Sequence, residues 1–439
     1  MLDLIFIFIF FSFPVLLLLV LRAAGMHLFT FHLTSFVILA CLVFGYIGIL
    51  PLYFGWDDYR YRSGVNDPEL VFYVLLGSIW SIFSLVLGSV IAASVYGRRL
   101  KIPLNSQYVT RFFKLKVALI LIVISLTLVD YLERVPEVAI FLAISGSISE
   151  SARSLMGNDF GPGYHWYSLV MHSCSNFLVF VTLAAWLATK TKIIAILFWC
   201  SFCIAAFTSV MAIEKGPFVW LLIGILMVWL FDRHQGRIVF IRVVPFFVLG
   251  VLVLSVIYMS FEGSPSFFDA LISAFSRAFS GSIQPAYHYL EFFPAQHEFL
   301  YGRSFPNPAG ILPWEPYPLT VEVMTWIMGS DSGVVRSAPA IFWTELYANF
   351  GIFGVLFLPI FVGAALFIIQ ALIEKLPDGP VKVGYYVWVL LHFKNLAVSP
   401  FSMFLIDIYF FGVTMIVLFL FSQRRGQKFH KRIPFNKHA

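Results

Sequence analysis

The 439 residues are 60% hydrophobic and only 12% charged, with a mean hydropathy of +0.89. A soluble domain carries about 25% charged side chains, so this composition belongs to a polytopic membrane protein. The formal charge of +6 is gathered in short basic clusters beside apolar runs. That pattern sets membrane topology and does not mark a nucleic-acid surface.

The first apolar run, LIFIFIFFSFPVLLLLVL, lacks a basic leader and is read as a retained first helix. About twenty apolar residues cross a bilayer core, and by that measure the chain holds about eleven transmembrane helices. They are expected near 3–21, 33–55, 70–97, 116–131, 166–188, 193–212, 217–231, 238–260, 349–373, 381–399 and 403–421. Taken in order, these spans put every basic cluster on one side: Arg22, Arg98 to Lys116, Lys190 and Lys192, Arg233 to Arg242, Lys375 and Lys382, and Arg424 to Lys437. The positive-inside preference then predicts an outward N-terminus and a cytoplasmic C-terminus.

One all-α membrane domain, 1–439, is expected. Residues 261–348 form its large outer loop and 132–165 a smaller outer or interfacial segment. The apolar part of the smaller segment, VAIFLAI, is too short to span and is expected at the interface or folded onto the bundle. Cys41, Cys174, Cys200 and Cys203 all fall in apolar stretches and read as small buried hydrophobes. No Gly-rich phosphate loop, HExxH, GxSxG or DxD motif occurs, and no metal or cofactor is implied.

What remains is cation on the outward side. Arg153, Lys215, Arg277, Arg303 and Arg336 all lie there, against the usual charge preference. One such residue is readily explained by snorkelling to lipid headgroups, whereas five together point to a bound anion. Guanidinium groups bind phosphate oxygens in pairs and hold a pyrophosphate without a metal. Arg277, Gly281, Gln284 and His288 fall at helical spacing on one side, unless Pro285 breaks the register. Glu345 and Asn349 stand four apart on the outer turn of the ninth span. A carboxylate there is partly desolvated, which suits a general base, although an interfacial Glu–Arg pair is a close competitor. His288 and His297 are reserve bases. Trp314, Tyr317 and Trp326 offer faces for sugar stacking. His392 and Lys394 fall late in the tenth span and Asp407 inside the eleventh, as functional suspects, with an Asp407–Lys394 structural pair an equal alternative.

The run from Arg336 through SAPAIFWTELYANFG resembles the pattern in bacterial oligosaccharide repeat-unit polymerases of the Wzy type. In that family a small-Pro segment leads into a Glu-x-Tyr-x-Asn-Phe-Gly helix start. Glu214-Lys215-Gly216-Pro217 is similar to a basic-x-Pro turn between central spans, and Arg277, Tyr301-Gly302-Arg303-Ser304 and the Arg153 segment sit where such proteins place arginines. The resemblance implies a GT-C-like architecture in the bacterial inner membrane. It also implies a glycosyl transfer on the periplasmic face, from one undecaprenyl-pyrophosphate-linked glycan to another, with a chain-length regulator as a further partner. In that reading Arg277, Arg303 and Lys215, supported by Arg153 or Arg336, hold pyrophosphate, and Glu345 takes the proton. An O-antigen ligase acting on lipid A core is the nearest rival. A transporter predicts inverted repeats, discontinuous helices and ionisable groups at mid-membrane.

Overall fold

The computed structural model describes residues 1–56, 64–97, 112–145, 155–157, 163–213, 215–234, 266–329 and 336–422, with isolated positions between them. Among these the architecture is helical: α1 (Leu2–Ala23), α2 (Leu33–Gly45), α3 (Ile49–Tyr53), α4 (Pro68–Tyr96), α5 (Phe113–Arg134), α6 (Ala139–Ile144), α7 (Tyr164–Thr189), α8 (Lys192–Val210) and α9 (Lys215–His234). After them come α10 (Phe267–Ala278), α11 (Ser280–Phe292), α12 (Leu319–Met328), α13 (Phe342–Glu374), α14 (Pro380–Phe393) and α15 (Ile408–Phe421).

Nine stretches among the described residues are long and apolar enough to cross a membrane. The expected count of eleven falls short at two places. The 238–260 span lies largely outside the described residues. The 381–399 span forms only the 14-residue α14 and a 3₁₀ turn at Lys394–Ala397. The physical reason is plain in the packing of α14, whose residues Pro380 to Leu390 are all buried. It is a core helix, wrapped by α2, α7, α9 and α15, and Gly384 lets its backbone close on Val181 of α7.

The tightest helix pair is α4 with α13. A Cβ on Gly88 would stand 1.8 Å from the Ile360 carbonyl oxygen, and one on Gly363 2.2 Å from that of Leu85. Ser89 Oγ donates to the Gly363 carbonyl at 2.9 Å and Trp80 Nε1 to that of Leu356 at 3.0 Å. In lipid no hydrophobic force drives helices together, so close backbone approach and hydrogen bonds carry the association. By contrast α1 buries one stripe (Phe6, Phe10, Phe13, Leu17, Leu21) and turns Leu4, Phe8, Phe11 and Val15 outward, as a peripheral helix does. Cys200 and Cys203 are also on an outward face, of α8, which corrects the expectation that they are buried.

Side-chain bonds identify the two ends of the bundle. At one end Lys116 Nζ donates to the Phe419 carbonyl at 2.6 Å, Lys375 lies over Tyr96, Gln370 bonds His32, and Lys382 pairs with Asp378 at 3.1 Å. Chain direction places Arg22, Lys190 and Lys192 at this basic end as well. At the opposite end Tyr53 donates to Asp3 at 2.8 Å, and the described residues 266–329 and 336–341 pack as a cap with its own small core. Tyr289, Phe293, Leu300, Val323 and Ala348 build that core. In the 132–165 segment, α6 folds onto the same end. Ile140 N–H donates to the Met211 carbonyl at 3.0 Å, and Ala139 packs with Tyr131, Met156 and Met171.

Candidate functional site

The joint between cap and bundle is made by the first turns of α13. This helix is broken at Gly351 (φ 60°, ψ −146°), where a Cβ would press on the Phe299 ring at 3.0 Å. Glu345 and Asn349 therefore stand on a short segment ahead of the break. Glu345 is only 1% exposed. Its Oε1 accepts from Ser304 Oγ at 2.6 Å and its Oε2 from the Ser402 N–H at 2.6 Å. Asn349 Nδ2 donates to Ser304 Oγ and to the Glu345 carbonyl, both at 2.8 Å, while its Oδ1 accepts from the Gly302 N–H at 2.8 Å. The Leu300 and Tyr301 amides add bonds to the Ala348 and Asn349 carbonyls. A buried carboxyl group without partners is costly, and here Ser304 and Ser402 satisfy it, while Ser304 and Gly302 satisfy the Asn349 side chain. The Tyr301-Gly302-Arg303-Ser304 loop is thereby clamped to the bundle, with Tyr301 (φ 50°) and Gly302 (φ 93°) in the left-handed region.

Arg303 is the predicted cation that this joint brings nearest. It is half-buried, and its Nε donates to the Leu300 carbonyl at 3.3 Å. Burial, helped by Glu322, pushes the Tyr317 pKa up, and the Arg303 guanidinium opposes that shift. The Tyr317 N–H also donates to the Arg303 carbonyl at 2.8 Å.

The other cations lie elsewhere. Arg277 is exposed in the last turn of α10, just before the chain passes Gly48 at Phe279 and Ser280. Arg336 is exposed and donates to Met328 Sδ at 3.1 Å. Arg153 and the Lys215 side chain lie outside the described residues. The helical register proposed from Arg277 to His288 does not hold. The break comes at Phe279 (φ −103°, ψ −73°), between α10 and α11, and Pro285 sits within α11 without ending it. Gly281, Gln284 and His288 keep that spacing within α11, with Gln284 and His288 bonded at 3.0 Å, and Arg277 alone is left on the preceding helix.

His288 is 2% exposed, with Nδ1 3.3 Å from Glu291 Oε2. Burial pushes its pKa down, and Glu291 opposes that shift. A chain of rings runs from His288 through Trp326 and Phe292 to His297 and Tyr317, with centroid separations of 6.2, 5.5, 6.1 and 4.9 Å. Both reserve histidines and two of the three candidate stacking rings thus belong to one aromatic layer of the cap. Trp314 stands apart, its carbonyl held by Asn307 Nδ2 at 2.8 Å and its Nε1 buried without a partner. Among the described residues no three His, Cys, Asp or Glu side chains come together as a metal site.

Sequence reasoning missed three features. Asp407 does not pair with Lys394 but with His392, joined Oδ2 to Nε2. Lys394 is 6% exposed, hydrogen-bonded to Asn395 and set over the Trp220 ring at 3.8 Å. A π-helical turn at Leu169–Cys174 interrupts α7, and the Met171 carbonyl in it accepts from Thr208 Oγ1 at 3.2 Å. The His-x₁₄-Asp spacing across a turn carries no local sequence signal, and a π turn has none either.

No family model, curated protein or solved structure matches the chain.

Proposed function

We propose that this chain is a glycosyltransferase that polymerises undecaprenyl-pyrophosphate-linked oligosaccharide repeat units at the periplasmic face of the bacterial inner membrane. The basic end of the bundle faces the cytoplasm, following the positive-inside preference, and the cap faces out. One observation carries the reading. Ser304 bonds the buried Glu345, so the neighbouring Arg303 is held at a fixed place where the cap meets the membrane helices. Rigid placement of a cation where negative charge develops is the main means of stabilising a departing diphosphate. The reaction forms a bond from an acceptor hydroxyl oxygen to the donor's anomeric carbon. The bond to pyrophosphate breaks, and lipid diphosphate leaves with the electron pair. Arg277 and Arg336 stand apart from this joint in the structure, so their share in holding the anion is a separate part of the proposal that replacing each of them tests, and the rings of Tyr317 and Trp326 line the sugar path.

The test uses the purified full chain with lipid-linked repeat units and no lipid A core. Product ladders are expected from the wild type. Arg303→Ala should leave single-repeat lipid and protein level intact while abolishing polymer. Wild-type ladders from Arg277→Ala and Arg303→Ala together refute the assignment. Activity only after lipid A core is added points to a ligase instead.

The break at Gly351 and the π turn at Leu169–Cys174 favour a second reading, a transporter of lipid-linked glycan. Proteoliposomes with substrate in one leaflet separate the two, because a transporter moves the glycan without lengthening it.

A further inference from the structure

Beneath the cap lies a pair of groups that the proposal above leaves unused. Asp407 caps α15, its Oδ1 accepting from the Tyr409 and Phe410 amides at 2.9 and 3.0 Å. Its other oxygen holds His392 Nε2. The carboxylate is 5% exposed, and the His392 ring stacks on Trp388 at 4.8 Å and 13°, with Phe393, Phe404 and Phe410 around it. A carboxylate fixed behind one imidazole nitrogen sets the tautomer and strengthens the other nitrogen as a base. That other nitrogen, Nδ1, has no hydrogen-bond partner among the described residues.

The place of the pair matters as much as its chemistry. The single turn Phe401–Phe404 connects it to the cap joint. Phe401 packs on Phe305 beside the Arg303 loop at 6.0 Å, the Ser402 N–H binds Glu345, and Phe404 packs on His392 at 5.6 Å. Glu345 has both oxygens engaged, and His288 both ring nitrogens. His297 has Nδ1 on the Glu298 carbonyl and no carboxylate behind it.

We infer that His392, oriented by Asp407, receives the proton of the acceptor hydroxyl in the transfer. This rests on the polymerase reading. As the hydroxyl oxygen bonds the anomeric carbon, its proton passes to His392 Nδ1 and the diphosphate leaves with the electron pair. Glu345 then acts as a positioning residue that holds the loop. Besides Asp407, the titratable groups near His392 are Lys394, turned onto Trp220; Tyr385, bonded to Thr414; and the Tyr409–His165 pair.

The experiment is a pH–rate profile of the full chain in nanodiscs, with lipid-linked repeat units as donor and acceptor. The wild-type rate should fall on the acid side. His392→Gln should lower the rate by about 10²–10⁴-fold and flatten that acid limb. Asp407→Asn keeps the helix cap, so it reports even if the histidine variant fails to fold. It should slow the reaction and change the acid limb. An unchanged rate in both variants overturns the assignment, as does a slower rate with the acid limb intact. Loss of the acid limb in His297→Gln alone transfers the role to His297. A wild type that makes no polymer sinks the polymerase reading itself, whereas active wild type with indifferent variants sinks only the dyad.

Discussion

Replacing Asn349 with Ala tests whether the cap joint is held as described. The substitution removes three hydrogen bonds and leaves the buried Gly302 N–H without its partner, while the Glu345 carbonyl stays within the helix. An orphaned buried N–H costs about 1–3 kcal/mol, so the joint should weaken by about that much. The Leu300 and Tyr301 amide bonds remain, so the loosening is local. Hydrogen exchange on the detergent-solubilised chain reads it directly. At about 1.4 kcal/mol per decade, protection of the 302–304 amides should drop by at least ~5-fold, with the rest of the bundle unchanged. Asn349→Asp should be worse than Ala, because it sets a second carboxylate one turn from the buried Glu345. Wild-type protection at 302–304 in Asn349→Ala would refute the clamp.

Gly351→Ala forces a side chain into a conformation that is essentially reserved for glycine, with its Cβ 3.0 Å from Phe299 Cζ. A loss of about 1–3 kcal/mol is expected. Trimming Phe299 to Ala should not restore it, since the strain is in the backbone; thermal melts of the two variants decide this. For His288, burial lowers the folded-state pKa below the unfolded value. Its neutral form is favoured in the fold, so its contribution is present above the unfolded pKa and is lost as pH falls through the folded one. The melting temperature should therefore decline from pH 7 to pH 5 less steeply in His288→Gln than in the wild type. Parallel slopes would show that His288 takes no part.

Much of the scaffold was readable because membrane helices announce themselves by length and apolarity. The runs around Phe6, Val86 and Leu366 needed no tertiary information, and the clustering of Lys116, Lys375 and Lys382 at one end followed from counting spans. The 381–399 span misled for a physical reason: burial by protein and burial by lipid produce the same apolar run. Glu345 and Asn349 were visible as an i, i+4 pair, yet their partners Ser304 and Ser402 lie 41 and 57 residues away and leave no mark in sequence. The Arg277 to His288 register failed because helical spacing says nothing about where a helix ends. Here the chain breaks at Phe279, where its backbone closes on Gly48.

The enclosed helix α14 has a consequence for how the protein is made. Its 14 residues rise only about 21 Å, short of a ~30 Å hydrocarbon layer, and they include a buried Lys382. Such a segment partitions poorly into lipid alone. During synthesis it must wait at the insertion machinery until α2, α7 and α9 have formed a wall to receive it, and α15 closes the ring behind it.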